Sequence, residues 1–162
     1  MANNLHRIDK NKYFFDEKSA KRAVDFIQTF CKHTKGELAG QPFVLEPWQI
    51  EIIEAIFGWK SKKTKLRKFR QCFIFIPRKN GKTTMMVGIA LYMLFSDGEK
   101  GAEIVSAAAD KEQARLSFSI AKNMVLQEPN LIKRAGTYRD SITYDKVGSY
   151  YKVISADADT KH

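Results

Sequence analysis

Between Glu54 and Asp97 the sequence contains no acidic residue. The same window holds Lys60, Lys62, Lys63, Lys65, Arg67, Lys68, Arg70, Arg78, Lys79 and Lys82, which together equal the whole net charge of +10. Outside it the 162-residue chain is neutral, so the excess charge belongs to one place and not to general polyanion affinity. Cysteine is scarce. Cys31 and Cys72 lack the paired spacing of a zinc site or a redox motif, and Cys31 with His33 does not complete a tetrahedral ligand set. Both read as reduced thiols of a cytoplasmic protein. Long apolar runs are missing too: the longest, Met85 to Phe95, would reach about half of a hydrocarbon core roughly 30 Å thick, which excludes a transmembrane helix. The N-terminus, MANNLHRIDKNKYFF, has no sustained apolar stretch behind its charges and does not read as a signal peptide. No membrane partner is expected.

What is present suffices for a core. With 44% hydrophobic and 12% aromatic residues, disorder is not expected, and the length suits about one domain. Ala20, Ala23, Val24, Ile27, Phe30 and Cys31 recur at helical spacing between Glu17 and His33, with Asp16 or Ser19 as the cap. Gly36, Gly40 and Pro42 break that pattern. A second helix is expected from Pro47 to about Gly58, because proline suits the first helical position. The run Lys60 to Arg70 reads as a flexible connector, solvated on one reading and touching DNA on the other.

The period then changes. Cys72 to Ile76 is short, apolar, aromatic and β-branched, and predicts a buried strand. A polar loop and an almost wholly apolar helix to Phe95 follow, then a strand over Ala102 to Ala107 and a helix from about Asp110 to Gln127. Strand, loop, helix, strand, helix is the order of an α/β fold with a parallel sheet covered on both faces. Ser141 to Tyr144 and Ser149 to Ser155 read as two further strands joined by a turn at Asp145 to Gly148.

Gly81-Lys82-Thr83 falls where the expected strand gives way to a helix. In a P-loop at such a junction, backbone amides and the positive helix end surround the β- and γ-phosphates of ATP. Lysine neutralises their charge and the next hydroxyl coordinates Mg²⁺. Lys82 and Thr83 suit those roles, and Gly81 lets the backbone approach without a Cβ. The strict motif fails, since Ile76 stands where a first glycine is usual. Pro77, Arg78, Lys79 and Asn80 must then form the anion-binding curve, with Asn80 the residue that best tolerates a left-handed conformation. Arg78, Lys79 and Lys82 repel one another unless an anion sits among them. The competing reading is a solvated basic turn ahead of a core helix.

Pro77-Arg78-Lys79-Asn80-Gly81-Lys82-Thr83-Thr84 resembles the variant Walker A loop of large terminase subunits, the DNA-packaging motors of tailed phages. Tyr13-Phe14-Phe15-Asp16, Gly36-Glu37-Leu38-Ala39-Gly40, Leu45-Glu46-Pro47-Trp48-Gln49 and Phe57-Gly58-Trp59 resemble blocks found in that order near the start of such subunits. Ala107 to Ala114 and Ser155 to Asp159 extend the likeness over nearly the whole chain. The resemblance implies a P-loop NTPase-like parallel sheet with flanking helices, incomplete, in residues 47–162, preceded by an N-terminal helical segment in residues 1–46. It also implies ATP and Mg²⁺ as cofactors and double-stranded DNA, a portal protein and a small terminase subunit as partners. A ring oligomer of the full-length subunit in the host cytoplasm would follow.

Within it, Gln49 corresponds to an adenine-reading glutamine, and a carboxamide does match adenine N6 and N7. Read without the family, Gln49 is a surface glutamine in a first helical turn. Arg78 corresponds to an arginine finger acting in cis on the γ-phosphate; its bland counterpart is an exposed arginine. Pro77 to Thr84 together form the expected nucleotide site.

A P-loop ATPase also needs a Walker B strand ending in Asp. Asp157, after Lys152 to Ala156, comes closest, but Asp157 and Asp159 read better as a polar loop leaving a strand. The chain therefore reads as ending before Walker B and before a nuclease domain. It is expected to bind nucleotide weakly through Lys82, Thr83 and Gln49 and to hydrolyse ATP poorly or not at all. Two other readings stay open: a helicase-like DNA-dependent ATPase fragment, and a non-catalytic basic module that binds nucleic acid whether or not ATP is present.

Overall fold

A computed structural model describes residues 8–78 and 80–155. It divides into two compact units, residues 1–25 with 46–75 and residues 26–45 with 76–162. Helix α1 (Glu17–Phe30) begins in the first and ends in the second.

The first unit is built on a short antiparallel pair, β1 (Tyr13–Phe15) with β2 (Trp59–Ser61), in register Tyr13 to Ser61 and Phe15 to Trp59. Helix α2 (Pro47–Gly58) leads directly into β2, with proline in its first turn as the sequence predicts. Asp16 caps α1: its Oδ1 accepts the Ser19 amide at 3.1 Å, while its own amide donates to the Gly58 carbonyl at 2.8 Å. Ala20, Ala23, Val24, Ile53 and Phe57 are buried here. Phe15 meets Trp59 edge to face at 5.3 Å.

Lys60 to Arg70 is not the loose connector expected. After β2 the chain turns back so that Lys60 and Arg67 form an antiparallel bridge, and the Ser61 amide donates to the Leu66 carbonyl at 2.9 Å. Like charges along the run did not prevent this, because the closing bonds are made by backbone.

In the second unit, α3 (Lys82–Phe95) is the apolar helix expected, buried along most of its length. Tyr92 meets Phe26 at 5.6 Å, and a Cβ on Gly88 would stand 3.1 Å from Ile27, so a glycine is what allows this approach. A four-stranded sheet follows in the order β3 (Glu103–Ala108), β6 (Ser149–Ser155), β5 (Ser141–Tyr144), β4 (Gly136–Thr137). Helix α4 (Lys111–Gln127), capped by Asp110 accepting the Gln113 amide at 2.8 Å, connects toward the short α5 (Pro129–Ile132). Lys32 pairs with the buried Glu128 at 3.1 Å. Burial opposes the charge of Glu128, but hydrogen bonds from Asn130 and Lys32 outweigh it and hold the carboxyl below its usual value.

Two expectations about the sheet are corrected. It is mixed and not parallel: β3 and β6 run parallel, whereas β6–β5 and β5–β4 are antiparallel. A three-residue turn at Asp145–Val147 joins β5 to β6, and so short a link permits only a hairpin. Nor is the sheet covered on both faces among the described residues. Ile104 and Tyr151 are buried, with Phe118 of α4 against Tyr151 at 6.0 Å, whereas Val105 and Ile154 on the opposite face are exposed. The third correction concerns Cys72 to Ile76, which forms no strand. Phe73 is 91% and Phe75 84% exposed, and Ile76 alone of the run is buried. Composition favours an extended backbone, but a strand also needs a partner for its amides, and none pairs with this segment among the described residues.

Candidate functional site

The turn from Pro77 to Gly81 and the head of α3 hold most of the expected site residues, all within the second unit. Gly81, the N-cap of α3, has φ 70 and ψ 12, the left-handed conformation that glycine adopts without a Cβ clash. The left-handed residue described in this turn is thus Gly81, where Asn80 was the expectation. Asn80 serves the turn through its side chain, donating from Nδ2 to the Pro77 carbonyl at 3.2 Å and to the Arg78 carbonyl at 3.4 Å.

The first hydrogen bond of α3 runs from the Met85 amide to the Gly81 carbonyl at 2.9 Å. The amides of Lys82, Thr83 and Thr84 therefore precede the helical ladder and face forward along the axis, where the helix dipole is positive. Lys82 Nζ donates to the carbonyl of Ile76, so its side chain folds back over the turn. Pro77, Arg78, Asn80, Gly81 and Thr83 are exposed, and Thr84 and Lys82 are half-buried. Lys79, Asp157 and Asp159 lie outside the described residues.

This arrangement suits a polyanion. Forward-facing amides, a left-handed glycine and an ammonium resting on a backbone carbonyl offer donors that an incoming phosphate oxygen can take over, without first breaking an ion pair. A groove of about 610 Å³ begins at Lys82 and Thr83 and runs between α3 and β3 past Met86, Ala90, Met93, Ile104 and Val105. Glu103, Ser106 and Ser117 add polar groups to its otherwise apolar lining, and the cation that lines it is Lys82.

Gln49 belongs to the first unit. It is 2% exposed, and its Oε1 accepts the Glu46 amide at 2.9 Å, which helps to cap α2. The surface glutamine of the bland reading is thereby corrected, since the carboxamide is buried and its acceptor is used by backbone. The Glu-x-x-Gln spacing at Glu46 and Gln49 was the available signal for this cap.

Sequence reasoning missed a second polar cluster. Lys60 Nζ lies 2.7 Å from Asp16 Oδ2 and 2.6 Å from Ser19 Oγ, and Ser19 Oγ donates to Asp16 at 2.8 Å. Those hydrogen bonds, from Lys60 first and then Ser19, hold the Asp16 carboxyl far below its usual value. No spacing rule links residues so distant in sequence; the β1–β2 pairing brings them together. Lys60 is in consequence a structural residue of the first unit.

Among the described residues no helix is long and apolar enough to cross a membrane. Residues 47–162 match the family described as terminase large subunit, ATPase domain. The large terminase subunit of Enterobacteria phage HK97 is 31% identical over 144 residues, 87% of this chain and 27% of that protein. The crystal structure of the HK97 bacteriophage large terminase matches with a TM-score of 0.73 at 29% identity, over 88% of this chain and 28% of that one. The chain spans about a quarter of the length of these relatives. It shares an α/β architecture with the solved relative, and it belongs to the terminase large subunit ATPase-domain family.

Proposed function

We propose that this chain carries the nucleotide-gripping part of a phage DNA-packaging motor, which binds ATP with Mg²⁺ and uses it to move double-stranded DNA into a procapsid. Residues 47–162 would form the ATPase domain and residues 1–46 its N-terminal helical segment. A portal protein and a small terminase subunit would be the partners of the assembled motor, a ring in the host cytoplasm. The observation that carries this reading is the Lys82 ammonium folded onto the Ile76 carbonyl beside a left-handed Gly81 at the head of α3.

Bound MgATP would supply the transferable γ-phosphoryl group. Lys82 leaves the Ile76 carbonyl to neutralise the β- and γ-phosphates, while the amides of Lys82, Thr83 and Thr84 donate to their oxygens. Thr83 Oγ1 would hold the Mg²⁺ ion. Pro77, Lys79 and Asn80 shape the curve, and Arg78 approaches the γ-phosphate from the exposed side as the cis finger. Gln49, the expected adenine reader, would offer Nε2 as donor, since its Oε1 serves the Glu46 amide. None of these residues is a carboxylate, so activation of the attacking water is not assigned to them.

Titration of the chain with a fluorescent ATP analogue in the presence of Mg²⁺ tests the reading. Lys82→Ala should weaken binding by at least about tenfold, the value of one charge-assisted contact. Equal affinity in parent and variant would refute the site.

A further inference from the structure

The folded turn after β2 presents a surface that the nucleotide site does not use. Its cations divide by what they touch. Lys60 is bound to Asp16, the Arg67 guanidinium lies 5.3 Å from the Phe57 ring, and the Lys68 ammonium lies 4.0 Å from the Phe69 ring. These three face inward. Lys62, Lys63 and Lys65 are exposed at the tip.

The tip is held chiefly by backbone and Ser61 bonds that leave the Lys62 and Lys63 ammonium groups out, while the exposed Lys65 ammonium lies 5.0 Å from the Phe14 ring. Ser61 Oγ accepts the amides of Lys63 and Thr64, each at 3.3 Å, and the Lys65 amide donates to the Ser61 carbonyl at 2.9 Å. The Lys62 amide donates to the Lys12 carbonyl at 2.9 Å, which ties the tip to the segment before β1. Lys65 has φ 61, a left-handed conformation that costs a side-chain-bearing residue about 1 kcal/mol or more. A glycine there would relieve the strain. Three lysines within four residues, one of them strained, repel one another until an anion lies across them.

Resting on the packaging-motor reading, we infer that Lys62, Lys63 and Lys65 form a contact for the phosphate backbone of duplex DNA, independent of base sequence. No carboxamide or carboxylate stands among residues 61–66 to read base edges. The neighbouring rings of Phe14, Phe57 and Phe69 are engaged beneath cations and do not form a platform for unpaired bases. What remains is positive charge on an ordered turn, which fits regularly spaced phosphates.

The test is fluorescence anisotropy of the chain with two short duplexes of unrelated sequence across a salt series. Equal affinity for both is expected, falling about 40-fold between about 50 and 200 mM salt if three phosphates are neutralised. The combined variant Lys62→Ala, Lys63→Ala, Lys65→Gly should lose most of that salt dependence and bind at least about tenfold more weakly at low salt. Its melting temperature should stay close to the parent's, because the left-handed penalty that Lys65→Gly removes offsets the lost contact with Phe14, and its ATP affinity should be unchanged. Replacing all three by arginine should preserve DNA binding.

Parent-like DNA binding by the combined variant would overturn the contact, as would absence of duplex binding by the parent, or affinity for anionic vesicles or polyglutamate as high as for duplex. If Lys82→Ala leaves ATP affinity untouched while DNA binding still depends on the tip, the nucleotide site fails and the DNA contact stands. The reverse pattern keeps the nucleotide site and removes the contact.

Discussion

Asp16 shows how one side chain can organise a unit. It caps α1, joins β1 to the end of α2 through its amide, and holds Lys60 through its carboxylate. Because its folded pKa is depressed, its contribution is present above the unfolded value of about 3.9 and is lost as pH falls through the folded value. Urea unfolding followed from neutral pH to about pH 2 should show stability falling below about pH 4. Asp16→Asn should cost about 1–3 kcal/mol at pH 7 and flatten that acid limb; an unchanged limb would show that Asp16 does not carry it. The cap was legible, since Asp before a periodic apolar stretch is a strong local signal. The ion pair with Lys60 was not, because it exists only once β1 and β2 pair. At the proposed nucleotide site the same split recurs. Gly81, Lys82 and Thr83 stand out by type and spacing, but the Ile76 carbonyl that receives Lys82 is backbone, and backbone has no sequence signature.

Among the elements, helices were read well. The expected spans of α1, α2, α3 and α4 differ from the observed ones by a few residues at the ends, because apolar spacing and caps are local properties. Strands β5 and β6 and the turn between them were legible for the same reason. β1 and β2 went unrecognised, since each is only three residues long and too short to show a period. Cys72 to Ile76 failed in the opposite direction, with strand composition and no pairing partner among the described residues. The junction into α3 gives an element-scale test. Gly81→Ala places a Cβ on a left-handed N-cap and should cost about 1–2 kcal/mol in denaturant melts. ATP affinity should fall with it. A variant as stable as the parent would mean that the helix can start from another conformation.

For the molecule as a whole, the two cysteines report on separate surroundings. Cys31 is buried in the second unit, where desolvation pushes its thiol up to about 12. Cys72 is exposed, with its thiol raised above the ordinary value by partial burial of the sulfur. A thiol reagent at mildly alkaline pH should therefore modify Cys72 in the native chain, more slowly than a free thiol, and reach Cys31 only on unfolding. Rapid modification of both would contradict the packing around α1. The single basic window likewise separates at this scale. Arg78, Lys79 and Lys82 belong to the proposed nucleotide site, Lys60 to an internal ion pair, and Lys62, Lys63 and Lys65 to an exposed tip. From the sequence alone came the helices, the strand–turn–strand at the end, the loop that marks the proposed nucleotide site and the family resemblance, because all of these are written in neighbouring residues. Among the described residues, the mixed sheet, the open face at Val105 and Ile154, the unpaired Cys72 to Ile76 and the folded lysine turn were decided by tertiary structure. Each depends on which distant backbone segments find one another, and residue type constrains that choice only weakly.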